Sequence, residues 1–390
     1  MAIAPWFAPS MLPVYVHTLG VRVRRHVRGH TRHHGDAGTI VRACIEACWN
    51  GRTFTASPGH FDMFWTRDLG FSAPALVRLG EGERVRASLA YALRVWERRR
   101  SHVTTTINYG DRPADVFAYG VDSLPLLIAA LRVAEATDLV ERHRAWLTAE
   151  IADYVTRVVD PVTGLVRSDR TYSAHRDTVV NRSTTYGNTM VALLAKTIAE
   201  TGWFASPLER HFEGDHGRLL RERFWLGSRF RDALGDHRTS GEANVWPFYA
   251  GVVADRAMLA TALRSLDAGG FCRPYPLRYE TVRRPEHEVW FTRHVLPDYQ
   301  GSTVWTSLGA TFLQLLSTID PEHAAREIVR YATWIERDGT YWEVLDDRGR
   351  PWVSPRRLFL CEESMLWSAI FLDVLENRDR GPALLSPRAA

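Results

Sequence analysis

An alternation constrains what this chain can fold into more than any other feature. Segments that are apolar nearly all round at helical spacing take turns with segments that carry one apolar stripe and one polar face. Glu83 to Arg100 is of the second kind. Val85, Leu89, Leu93 and Trp96 line one side and an Arg-rich face lines the other. Asp122 to Val133 is of the first kind, with Leu124, Leu126, Leu127, Ile128 and Leu131 spread around the helix. A helix without a polar face must be buried, and an amphipathic one must cover something apolar. The pattern therefore predicts an inner ring of buried helices wrapped by an outer amphipathic ring.

The same reading places helices over Gly38–Asn50, Asp68–Leu79, Leu139–Val158, Thr185–Ile198, Leu208–Phe230, Val245–Ala254, Arg256–Leu266, Gly301–Leu316, Pro321–Glu336 and Glu362–Leu375. Pro74 bends the second of these or delays its start, and Pro125 is tolerated in the first turn of its helix. The fold class expected is all-α, an (α/α)6 toroid with long loops and short strands at one end. No Pro/Ser-rich linker divides the chain, so residues 37–380 read as one domain. Residues 1–36 show no sustained period and read as an N-terminal arm, extended in part over Val14 to Val23.

Composition narrows the function classes. The 49 basic and 45 acidic residues leave a formal charge of +4, and the two signs are interleaved, which argues against a nucleic-acid footprint. Arg22 to His34 is the one Arg/His-rich stretch. It reads as a solvated arm, or alternatively as an anion or metal site. The cysteines are Cys44, Cys48, Cys272 and Cys361; Cys44 and Cys48 lie one turn apart in an apolar stripe and read as core. No zinc spacing, phosphate-binding loop, dinucleotide fingerprint or nucleophile elbow is present, and no cofactor is expected. The N-terminus lacks a basic segment followed by an apolar one, and no apolar run reaches membrane-spanning length. A cytoplasmic protein without membrane or nucleic-acid partners is the expectation, with a homo-oligomer left open.

The chemistry-bearing clusters stand just ahead of the buried helices: Trp65-Thr66-Arg67-Asp68, Val121-Asp122-Ser123, Tyr186-Gly187-Asn188, Asn244-Val245-Trp246 and Gly301-Ser302-Thr303-Val304-Trp305. In a ring of hairpins all of them meet at one end, where a pocket can form. With 14 Trp, 13 Tyr and 16 Phe, many beside polar loop residues, such a pocket suits a sugar, which stacks on flat faces and offers hydroxyls at its edge. Asp122 reads as a helix N-cap or as a carboxylic acid in a pocket with Phe117 and Tyr119. A carboxyl in a dry pocket keeps its proton nearer neutrality. Glu343, in a strand-turn-strand segment from Tyr341 to Trp352, reads as an exposed strand residue or as a second carboxylate facing Asp122. Glycoside hydrolysis needs two carboxyl groups in distinct environments.

Four segments carry a resemblance to the (α/α)6-barrel glycoside hydrolases, the superfamily of processing α-glucosidase, mannosylglycerate and glucosylglycerate hydrolases, trehalase and neutral invertase. Trp65 to Phe71 followed by Pro74 resembles the family's W-x-R-D segment, and Val121-Asp122-Ser123 its acid-bearing segment. Pro297 to Trp305 resembles Y-x-G-x-x-W. Trp342 to Pro351, followed by Ser364 to Leu372, resembles the E-x-x-D-x-x-x-G-x-P segment and the buried W-S-A helix after it. The resemblance spans roughly residues 38–377. It implies an inverting hydrolase of a terminal α-linked sugar, most simply an α-glucoside, with Asp122 as general acid and Glu343 as general base. It leaves Glu363 as the rival base, beside Glu362. Arg67 and Asp68 are expected to form a buried pair that holds the terminal sugar. Trp65, Trp246, Trp305 and Trp342 are expected to stack or pack around it, and Tyr186, Asn188, Gln300 and Gly301 to meet its hydroxyls. Asp122 is followed by Ser-Leu-Pro rather than the invertase Ser-Gly-aromatic run, which counts against sucrose. Three alternatives stand beside this reading: a β-fructofuranosidase on the same scaffold, an epimerase or lyase working through His and Tyr, and a non-catalytic sugar-binding protein.

Overall fold

In the computed structural model, residues 12–377 are described apart from 206 and 358; residues 1–11 of the expected arm and 378–380 of the expected domain lie outside them. In chain order the helices are α1 (Leu12–Arg28), α2 (Ala37–Ala47), α3 (Thr66–Arg78), α4 (Gly82–Arg99), α5 (Ser123–Val133), α6 (Thr137–Arg142), α7 (Arg144–Val158) and α8 (Thr185–Thr201). There follow α9 (Glu209–Phe212), α10 (Arg218–Phe224), α11 (Gly241–Tyr249), α12 (Arg256–Ala268), α13 (Trp290–Val295), α14 (Thr306–Ile319), α15 (Pro321–Asp338) and α16 (Ser368–Asn377). Short strands β1 (Phe64–Trp65), β2 (Thr106–Asn108) and β3 (Arg112–Ala114) form one antiparallel sheet, and β4 (Val304–Trp305) pairs with β5 (Val344–Leu345).

The contacts among these helices run in a closed cycle. Helix α3 packs on α5, α5 on α8, α8 on α11, α11 on α14, α14 on α16, and α16 returns to α3. The cycle is made of the segments without a polar face: Ser123 to Leu131 of α5 and Thr306 to Leu316 of α14 are buried throughout. Around it lie α2, α4, α7, α10, α12 and α15, each packed on one or two members of the cycle. Amphipathic α15 buries Ala324, Ile328, Tyr331, Trp334 and Ile335, together with Glu327, and turns Glu322, Arg326, Glu336 and Arg337 out. Helices dominate and the few strands sit in the loops, as an all-α toroid requires.

Small residues set how closely the layers approach. At Gly309 in α14, a Cβ would collide with the Tyr331 hydroxyl of α15 and the backbone carbonyl of Pro276. Gly309→Ala would gain about 0.5–1 kcal/mol of helix propensity but meets backbone that cannot swing aside. Overpacking costs about 1–3 kcal/mol, so the clash wins. The expected outcome is a lower urea midpoint at unchanged slope.

Several boundaries differ from the sequence reading, for local reasons. Leu208–Phe230 is not one helix. Glu213 (φ 41°) closes α9 in the left-handed region, and Gly214 (φ 81°) follows it before α10 begins. Helix α11 starts at Gly241, ahead of Val245, because the Ser240 hydroxyl caps it at Ala243 N–H. Residues 301–305 and 362–367 belong to loops and β4 rather than to α14 and α16.

The largest difference is α1. Residues 14–23 are helical, not extended, and the mostly exposed stretch from Arg22 to His34 is tied to the rest of the chain through Arg25, His30 and His33. The apolar sorting of α1 is inverted: Val16, Leu19, Val23 and Val27 face out, while the Arg25 side chain is only 8% exposed and pairs with Glu362 and Glu363. Beyond α1, the His30 ring packs on Trp342, and His33 N–H donates to the Gly339 carbonyl at 2.7 Å. A periodicity argument assumes apolar faces turn inward, so it cannot register a helix held in place by a buried ion pair.

Candidate active site

Most residues that make the central cavity come from the segments leading into the inner helices. Arg67 and Asp68 occupy the first turn of α3, with Trp65 just ahead of it in β1. His175 and Asp177 come from the loop before α8. Gln300 and Trp305 precede α14, and Met365 and Trp367 precede α16. Strand pairing sets Trp305 opposite Val344, next to Glu343. Phe61, Trp65, Phe71, Trp305 and Trp367 form apolar walls, and Arg67, Asp68, His175, Asp177, Gln300 and Glu343 supply the polar groups. The cavity volume is about 60 Å³, room for a few waters.

Glu343 is 1% exposed. The Tyr299 hydroxyl donates to its Oε1, and Glu362 N–H donates to its Oε2 at 2.8 Å. Burial pushes its carboxyl up to about 8, against the Tyr299 hydrogen bond, which favours the anion. Asp68 is likewise pushed up to about 8 by burial. Asp177 is raised by burial too. The Arg67 guanidinium, whose Nη1 lies 2.9 Å from both carboxylate oxygens, and the Ser173 hydroxyl at 2.5 Å pull it back. His175 is held below its ordinary value by burial, although Glu242 opposes this, so its imidazole is neutral.

Three carboxyls therefore reach the cavity, and Asp122 is not among them. It is fully buried behind Arg67, whose Nε and Nη2 donate to its two oxygens at 2.6 and 3.0 Å, while the Tyr186 hydroxyl adds a third bond at 2.7 Å. It does not cap α5 through its side chain either. The expected pocket with Phe117 and Tyr119 is replaced by this ion pair. The expected Arg67–Asp68 pair is also absent: neighbours along a helix point about 100° apart, and Arg67 turns toward Asp122 and Asp177 while Asp68 turns into the cavity.

The other expected site residues divide. Trp65 lines the cavity with an indole N–H that has no hydrogen-bond partner. Trp305 lines it as well, its indole fixed to the Tyr299 carbonyl at 2.8 Å. Gln300 lines it while fastening the Asp177 loop: its Oε1 accepts from Thr178 N–H at 2.7 Å and its Nε2 donates to the His175 carbonyl at 3.1 Å. Trp246 stands behind the wall, 4.5 Å from the Phe71 ring and 5.6 Å from His175. Tyr186 is spent on Asp122, Asn188 ties Val166 N–H and the Thr184 carbonyl, and Gly301 forms the turn at Asp298; none of the three lines the cavity. Trp342 lies ahead of β5 and does not line the cavity; its ring packs on His30 and its indole donates to Asp338 at 3.0 Å. Glu363 accepts from Thr31 N–H and faces the α1 segment, in a different cavity from Glu343.

Neither His175 nor Asp177 carries a motif that marks it in the sequence. The available signal was positional: His175-Arg176-Asp177 lies in a long loop ahead of a buried helix, as the recognised clusters do. Arg176 between them turns the other way and binds Asp232, Glu242 and Glu280 at 2.6, 2.6 and 2.9 Å, anchoring the loop from below.

No family model matches this sequence, and no curated protein matches it. Solved structures do share its fold. A glycosidase variant in complex with glucose superposes with a TM-score of 0.64 at 16% identity, covering 89% of this chain and 98% of that one. A rhamnosidase from Klebsiella oxytoca with rhamnose bound gives 0.61 at 13% identity, over 87% of this chain and 63% of that chain. The GH63 mannosylglycerate hydrolase from Thermus thermophilus, in complex with Tris and D-glycerate, gives 0.58 at 14% identity, over 87% and 100%. At these identities the likeness is one of overall fold.

Proposed function

We propose that this chain is an (α/α)6-toroid glycoside hydrolase that removes a terminal α-linked sugar, most simply glucose, with inversion. One observation carries the reading: two carboxyls distant in sequence, Asp177 and Glu343, both raised by burial, line one aromatic-walled cavity at the loop end of the inner helices. Glu343 acts as general base, the role its motif implies. The Tyr299 hydroxyl and the Glu362 amide orient it, and its free lone pairs take a proton from water. Asp177 acts as general acid and protonates the leaving oxygen, in the place the sequence reading gave to Asp122. Asp68, His175 and the Trp65 indole hold sugar hydroxyls. The likeness to solved glycosidases supports the reaction class, while the choice of sugar and stereochemistry rests on the motifs.

One observation favours the opposite assignment of the two roles. Arg67 lies against Asp177 and favours its anion, whereas no salt bridge to a cation engages Glu343 among the described residues. The pH profile separates the two. A base must lose its proton to act, so with Glu343 as base kcat/KM rises as pH increases through about 8. A falling limb at that pH assigns the proton donor to Glu343 instead. The experiment is a pH series on a panel of aryl α- and β-glycosides, with the anomer of the released sugar read by NMR. No turnover of any member, with measurable glucose binding, overturns the enzymatic reading.

A further inference from the structure

The ion pair that draws α1 inward ends on the residue that holds Glu343. Glu362 and Glu343 are joined twice: Glu362 N–H donates to Glu343 Oε2 at 2.8 Å, and Glu343 N–H donates to the Glu362 carbonyl at 2.9 Å. The Glu362 carboxylate is wholly buried. Its Oε2 accepts from His60 N–H and lies 2.9 Å from His60 Nδ1, and its Oε1 meets the Arg25 guanidinium. Arg25 also donates to the Cys361 carbonyl at 3.0 Å and lies 3.3 Å from Glu363. Gly59 leaves the room this needs, since a Cβ there would run into the Glu362 carboxylate. Burial and the nearby guanidinium keep His60 neutral, so Arg25 is the cation that compensates Glu362 among the described residues. A buried carboxylate stripped of its partner must move, take a proton or find water. Any of these drags the amide that orients Glu343.

We propose that Arg25, delivered by the N-terminal helix from the other end of the chain, is a positioning residue for Glu343, acting through Glu362. The inference rests on Glu343 being the base. Its consequence is that the N-terminal segment belongs to the catalytic machinery rather than decorating it. The other titratable and charged groups around Glu343 are Tyr299, Asp68 and Cys361, with Arg67, His175 and Asp177 in the same cavity.

The test compares the full-length wild type with Arg25→Met, Arg25→Lys and Glu343→Gln. For Arg25→Met, kcat on an aryl α-glucoside is expected to fall about 10- to 100-fold with KM within threefold, the pattern of a misplaced reacting group. Arg25→Lys is expected to lose about three- to tenfold, because a point charge cannot serve Glu362, Glu363 and the Cys361 carbonyl together. A second readout needs no turnover: the infrared carboxyl band that disappears in Glu343→Gln is titrated in wild type and in the Arg25 variants. Arg25 favours the Glu343 anion, so its loss is expected to move that midpoint upward by about half a unit or more. A folded Arg25→Met with wild-type kcat and an unmoved midpoint overturns the proposal. If Arg25→Met does not fold, wild-type kcat and midpoint in Arg25→Lys overturn it. Full turnover by Glu343→Gln instead removes the base reading itself, and is distinguishable because it leaves the Arg25 results unexplained rather than null.

Discussion

Asp177→Asn is expected to lower kcat on an unactivated α-glucoside by about 10³-fold, within the range that general acid catalysis supplies. The loss should depend on the leaving group. An alkoxide cannot leave without a proton, whereas fluoride needs far less help. On a glycosyl fluoride the same variant should therefore fall about tenfold or less, while Glu343→Gln, which removes activation of water, should fail on both substrates. The fold should tolerate the change, because the Asp177 side chain is 15% exposed at the cavity and Arg67 keeps its two bonds to the wholly buried Asp122. Steady-state rates on the paired substrates decide the matter. Equal losses on both would remove Asp177 from the acid role.

The second large effect is on stability rather than chemistry. Asp122→Asn leaves the buried Arg67 guanidinium with one carboxylate, Asp177, and turns an amide N–H₂ toward its N–H donors. Arg67 is 4% exposed and Asp122 is 0% exposed, so water cannot repair the loss. Removing one member of a buried pair costs about 3–5 kcal/mol. In a chain of this size that is a fall in melting temperature of about 4–6 °C. Residual activity in the folded fraction should remain within about tenfold of wild type, because Asp122 does not line the cavity. Thermal melts beside rates at a permissive temperature check both halves. An Asp122→Asn variant that melts normally and is inactive would restore Asp122 as the acid.

These two residues mark how far the sequence could be read. The helix alternation, the Trp65–Asp68 cluster, Gln300, Trp305 and Glu343 were legible because each depends on local order along the chain: a period, a motif, a place just before a buried helix. Asp122 has the same local credentials and a different outcome. An N-terminal carboxylate on an inner helix points into the cavity or behind it according to where an arginine stands, and Arg67 stands 55 residues earlier in the chain. Asp177 carried no motif. Its loop is aimed by Arg176 on Asp232, Glu242 and Glu280, and by Gln300 on Thr178, contacts spanning 56 to 122 residues. The helical N-terminal segment escaped notice because its buried anchor is a charge and its exposed stripe is apolar.

By itself, the sequence determined which helices are inner and which are outer, and at which end of them the reactive side chains gather. Burial acts on faces, and a face is written in the spacing of neighbouring residues. Only the tertiary structure decided which carboxyls reach the cavity and which are consumed by buried arginines. That choice depends on charges meeting across dozens to hundreds of residues, where no period or motif records the partner.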